Sequence, residues 1–208
     1  MQANVEPQIT ITRTGDISDT VLAQIQNAAA SVGLDVKSEL HGFKAAEGPT
    51  YIQVLAELLT WKTILGITVT AFLAKFAQKA AEDTYDLFKA TTKYLATEAA
   101  QRLRTIAFAV FKASKEGNPK TYIAVGFPKP NTFFGTTWRF KAENEEEVAL
   151  NMAVFALKAE AINEALETVV LKDGKPATGV FLEVNKDGSV ILKWHDPKTL
   201  EPKQYTIV

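Results

Sequence analysis

The amino-acid sequence predicts an α+β fold, and three observations point to it. Residues 8–13 (QITITR) alternate apolar and polar, and after a Gly-Asp break come apolar residues at three-and-four spacing and then a second alternating stretch. Residues 58–74 are apolar except for Lys62 and four threonines, which calls for a helix shielded by the rest of the chain. Residues 168–208 hold two Lys-Asp-Gly turns between alternating segments. Together these describe a mixed β-sheet with an N-terminal β-α-β unit, a long broken central helix, one further helix and a C-terminal antiparallel β-meander.

Taken in order, Ile9 and Ile11 share one face of the first strand, and Gly15 with Asp16 ends it. Ser18 is the N-cap of a helix whose stripe is Val21, Leu22, Ile25, Ala28, Ala29 and Val32, and Gly33 stops it. Residues 34–43 return as a strand with Leu34 and Val36 inward. Joints this short predict a right-handed crossover between two parallel strands. Gly48-Pro49 breaks the chain, and Thr50 with Gln53 has capping-box spacing, which predicts helix from 50 to about 97. That helix would be about 70 Å long, against a diameter of about 45 Å for a compact chain of this size, so it must break or protrude. Gly66 and the polar cluster at 78–84 are the expected breaks. Residues 52–77 are apolar nearly all round, whereas 78–97 turn Lys79, Glu82, Asp83, Asp86, Lys89 and Lys93 outward as a solvated face.

Residues 105–113 and 120–127 are apolar on both faces around the turn Glu116-Gly117-Asn118-Pro119, and are expected as central strands covered on each side. Residues 128–137 form a loop and 138–141 a short strand. Asn144 with Glu147 makes a second capping box, and Glu145 to Glu147 lie where the helix dipole favours negative charge. Val148, Met152, Phe155, Ala159, Ile162 and Leu166 then line one helix face. In the meander, a two-residue Asp187-Gly188 loop would set Leu182 beside Lys193. A three-residue loop pairs Val184 with Val190, Leu182 with Leu192 and Val180 with Trp194, which yields one apolar face, so this register is expected. Tyr205 and Ile207 continue that face. With no flexible linker, residues 1–208 are expected as a single domain, with 168–208 a candidate small C-terminal lobe.

Composition removes several classes of function. Of 208 residues 47% are hydrophobic, and 23 basic side chains face 24 acidic ones, so the chain has a core to bury and no basic excess for holding duplex phosphates. Nucleic acid is therefore not an expected partner. With no cysteine there is no disulfide, thiolate zinc site, iron-sulfur cluster or cysteine nucleophile, which fits a cytoplasmic setting. The polar start, with Glu6 and Pro7, lacks the order of a signal peptide and is read as a short disordered lead-in. The uncharged stretch at 63–74 would rise only about 18 Å against a hydrocarbon core of about 30 Å, so a fixed membrane span is not expected.

Chemistry-bearing motifs are missing. The chain has no glycine-rich phosphate loop, G-x-S-x-G, H-E-x-x-H or EF-hand spacing, and no cofactor or metal is expected. His195 precedes Asp196-Pro197, but adjacent strand residues face opposite ways, so Asp196 does not orient the ring. His41 has only Glu39 on its side, and Glu82 with Asp86 sits among lysines as a surface salt-bridge pattern. No catalytic residue is nominated, and an enzyme is the weakest of three readings.

The segment chosen for function is 127–140 (FPKPNTFFGTTWRF), with five aromatic residues in a proline-stiffened loop. Aromatic side chains held in such a loop give large contact area at low ordering cost. Phe133 and Phe134 form its tip, Trp138 and Arg139 its rim, and these are the expected binding residues. The expected function is a non-enzymatic protein-binding or assembly module, with a protein partner or self-association. The alternative is a membrane-active effector in which residues 58–74 meet lipid after a trigger.

Overall fold

Strand, helix, strand with short joints does build a parallel pair at the start of the chain. The structure is a computed structural model that describes residues 8–13, 17–40, 51–65, 87–117, 121–128, 135–172, 174–177, 179–185 and 189–207. Strand β1 (Gln8–Arg13) pairs in parallel with β2 (Asp35–Leu40) across helix α1 (Asp19–Ser31). Ser18 caps α1, its hydroxyl oxygen accepting from the Val21 N–H at 3.3 Å. The lead-in at 1–7 and the expected breaks at Gly66 and 78–84 lie outside the described residues.

The same device recurs twice. Strand β3 (Tyr51–Ala56) is parallel to β4 (Tyr122–Phe127), with α2 (Leu58–Leu65), α3 (Leu87–Leu95) and α4 (Gln101–Gly117) between them in the chain. Strand β5 (Thr136–Phe140) is parallel to β6 (Val180–Val184) across α5 (Glu145–Ala165). Strands β7 (Val190–His195) and β8 (Pro202–Ile207) complete an antiparallel meander. All eight described strands lie in one sheet, ordered β2-β1-β3-β4-β5-β6-β7-β8. The fold is α+β with a mixed sheet, and the meander strands continue that sheet. Val184 faces Val190 and Leu182 faces Leu192, the register that yields a single apolar face.

Two expectations are corrected. Residues 51–56 are a strand, not the start of the central helix, so Thr50 and Gln53 do not form a capping box. From Ile52 to Ala56 every side chain is buried, so no wet face imposes a period of two on the sequence. Residues 105–113 are the middle of α4, not a strand. Within nine residues the run is apolar in both phases. Over the whole helix, the fully buried positions Leu103, Ile106, Ala107, Val110 and Ala113 recur at three-and-four spacing.

The core lies between the sheet and its helices. Ile11, Val54, Val125, Trp138, Leu182 and Leu192 form one register row and share a core cluster with helix residues from α1, α2, α4 and α5. Leu55 and Ala124 are buried on the same strands but stand outside that cluster, because their side chains face the other way. Helix α5 is buried nearly all round and carries Met152, Phe155 and Ile162 inward, so its apolar surface is wider than the one stripe expected. Trp61 of α2 is fully buried, meets Phe155 edge-on at 5.0 Å, and donates its indole N–H to the Gly126 carbonyl at 3.0 Å. Gly126 has no room for a side chain: a Cβ there would lie 1.9 Å from the Thr136 carbonyl oxygen.

Candidate functional site

The outer side of the helix layer carries a groove where three helix segments converge. The end of α3 supplies Leu95, the solvent face of α4 supplies Arg104 and Phe108, and the first two turns of α5 supply Glu145, Glu146, Ala149 and Leu150. Its volume is about 660 Å³. A second groove of about 490 Å³ adjoins it between α1 and α4, and Phe108 with Arg104 forms the ridge shared by both. Phe108 is 52% exposed, an aromatic ring set on a helix face that otherwise presents Arg104 and Lys112 to solvent.

The walls are fixed by identifiable bonds. Arg104 donates to the Leu95 carbonyl at 2.9 Å, which joins the end of α3 to α4. The Tyr94 hydroxyl donates to the Leu65 carbonyl and ties α3 to the end of α2, and burial pushes that phenol above its usual pKa, with Arg104 opposing. Lys115 donates to the Ala142 carbonyl at 3.0 Å beside the chain's entry into α5. Asn144 caps α5 by accepting from the Glu147 N–H at 2.9 Å, and Glu147 reaches back to accept from the Glu143 N–H at 2.7 Å. The expected box is therefore present, reaching one residue further back than the standard form. With Glu147 occupied in capping, Glu145 and Glu146 add acidic side chains to a lining that also holds Arg104 and the apolar Leu95, Phe108, Ala149 and Leu150.

Of the residues nominated from sequence, Phe133 and Phe134 lie outside the described residues. Trp138 is 8% exposed and belongs to the core cluster, with its ring 5.7 Å from that of Phe140. Arg139 points to the opposite side of β5, its guanidinium 4.9 Å from the centre of the Phe181 ring. Trp138 and Arg139 therefore do not share a surface. The base of their loop is tightly set: Gly135 has φ +58, a Cβ there would lie 2.4 Å from the Phe127 carbonyl oxygen, and its own carbonyl accepts from the Val180 N–H at 3.0 Å.

His41, Glu82 and Asp86 lie outside the described residues. His195 is exposed on the face that also carries Lys193 and Glu183, and those two form an ion pair. Asp196 is buried at the start of the turn that follows β7. It accepts from the Lys198 and Thr199 N–H groups at 2.8 and 3.0 Å and pairs with Lys203, contacts that hold its carboxyl well below the usual range. Among the described residues no three His, Asp or Glu side chains are grouped as metal ligands.

On the sheet face turned from the helices, Gln53 and Thr137 are fully buried, and the Gln53 amide and Thr137 hydroxyl have no hydrogen-bond partner among the described residues. Between them β4 shows only Ala124 and Gly126. Burial raises the Tyr51 phenol and lowers the Arg139 guanidinium from their ordinary values, and each opposes the other's shift. No described helix is long and apolar enough to cross a membrane. Helix α2 buries Thr60, Trp61, Ile64 and Leu65 and exposes Leu59, while residues 66–74 lie outside the described set.

Phe108 was legible in principle. Once 101–117 is taken as a helix, an aromatic residue four positions from both Arg104 and Lys112 stands out on its polar face. Leu95 and Leu150 carry no such signal, because only packing brings their elements together. No protein-family model, curated protein or solved structure matches this chain significantly.

Proposed function

We infer that the protein is a non-enzymatic binding or assembly module, working in the cytoplasm, whose receiving surface is the groove around Phe108. The single observation that supports this reading is an aromatic ring half out in solvent on α4 that lines two adjoining concavities. Apolar floor with charged lips is the arrangement of recognition sites, in which the floor supplies affinity and the lips fix orientation. The preferred ligand is an apolar side chain flanked by a base on one side and an acid on the other, to match Glu145 and Glu146 of α5 and Arg104 of α4 in one lining.

Selection of displayed peptides on the immobilised full chain tests this. The expected result is enrichment of Leu, Met or Phe between oppositely charged residues, with the enrichment lost in Phe108→Ala. Peptides that bind Phe108→Ala equally well, or no enriched class at all, would overturn it. A second contact surface is proposed at residues 127–140, favoured by the tightly set base of that loop at Gly135. There, Phe133→Ala combined with Phe134→Ala lowers partner binding and leaves the thermal melt unchanged. A lowered melt would assign those rings to the fold.

A further inference from the structure

Among the described residues Leu200 is the one non-glycine residue with positive φ, at +61°, and its side chain is 63% exposed. For an L-residue the left-handed conformation crowds Cβ against the carbonyl, and glycine or asparagine is the usual occupant. Leu200 recovers little by packing within its own chain, since most of its surface is in solvent. Nor can the backbone relax easily. The Leu200 N–H donates to the Asp196 carbonyl at 3.1 Å, the Asp196 N–H donates to the Glu201 carbonyl at 2.9 Å, and the Asp196 carboxylate holds the turn from inside. The β7–β8 hairpin therefore ends in a stiff tip that presents a leucine to solvent, with Lys198 and Glu201 exposed on either side of it.

That tip carries the chemistry that the Phe108 groove requires. An apolar knob lies between a base and an acid in the chain; the groove lining combines apolar Leu95, Phe108 and Leu150 with Glu145, Glu146 and Arg104. The two cannot meet within one molecule. The first turns of α5 follow the last residue of β5, whereas the hairpin tip follows β7, which runs antiparallel to β6 and so to β5. Knob and groove thus lie at opposite ends of the sheet.

We propose that Leu200 of one copy docks into the Phe108 groove of a second copy, with Lys198 against Glu145 and Glu146 and Glu201 against Arg104. This rests on the groove being a receiving surface, and it names the occupant. Because donor and acceptor surfaces differ, the contact is heterologous and leads to rings or open chains. Its small area places it among weak, transient interfaces, and the stiff tip lowers the ordering cost.

Sedimentation of the full chain from about 10 µM to about 1 mM, the range in which such contacts form, is the test. Wild type is expected to pass from single chains to dimers or longer species as concentration rises. Leu200→Gly and Phe108→Ala are each expected to remain single chains, and Leu200→Gly to melt no lower than wild type. Mixed together, the two variants are expected to form two-chain species and nothing larger, since one keeps the groove and the other the knob. Lys198→Glu is expected to weaken association several-fold. Wild type that stays a single chain throughout, Leu200→Gly that associates like wild type, or a mixture that forms nothing overturns the proposal. Peptide selection dependent on Phe108 would survive any of these, so the groove and its occupant fail separately.

Discussion

The sheet face turned from the helices is dry on β3 and β4 and wet on the meander. Leu55, Gln53 and Ala124 are buried there, while Glu183, Lys193 and His195 on the same face are exposed. Strands of one sheet have thus been written under two different rules. Where one face meets water, alternation survives in the sequence, as in VFLEV and VILKWH. Where both faces are closed, alternation vanishes and a strand such as YIQVLA reads like a piece of buried helix.

Trp61→Ala should strike the dry region hardest. It removes a fully buried indole and its bond to the Gly126 carbonyl, and is expected to cost about 3–5 kcal/mol by denaturant titration. A loss below about 1 kcal/mol would mean that the helix layer does not bear on β4 as described. Next comes Gly126→Ala, which sets a methyl against the Thr136 carbonyl. It should cost about 3 kcal/mol, the upper end of ordinary overpacking, and a neutral result would remove the close approach of β4 and β5.

Gln53→Met changes sign. It replaces a buried amide that has no hydrogen-bond partner among the described residues with an apolar chain of similar shape, so stability should rise by about 1–2 kcal/mol. A fall of that size would show that the amide is satisfied by a group that methionine cannot replace.

The wet region is expected to respond to charge and pH instead. Because its folded-state pKa is depressed, Asp196 stabilises the hairpin at neutral pH, and that contribution drains away as pH falls through and below the usual carboxylate range. Hydrogen exchange in acid should therefore loosen β7 and β8 before β3 and β4, whereas in Asp196→Asn the meander should be loosened already at neutral pH, with no further step through the carboxylate range. Simultaneous loosening of both regions would contradict this. The smallest effect belongs to Glu183 and Lys193, both about half exposed. A double-mutant cycle should give less than about 1 kcal/mol for the pair.

The first β-α-β unit, α5 with its cap, and the meander with its register were determined by the sequence itself. Each rests on signals that the chain contains locally: Ser18 and Asn144 as caps, three-and-four spacing over several turns, and alternation with one wet face. Tertiary structure decided the rest. Whether 51–56 is strand and 101–117 helix depends on what covers a second face, which no short apolar window records. The groove depends on it more strongly still. Leu95, Phe108 and Leu150 stand on three separate helices, and only packing against a shared core sets them around one space. Periodicity encodes which face of an element is buried; the partner that buries it is fixed by contacts far apart in the chain.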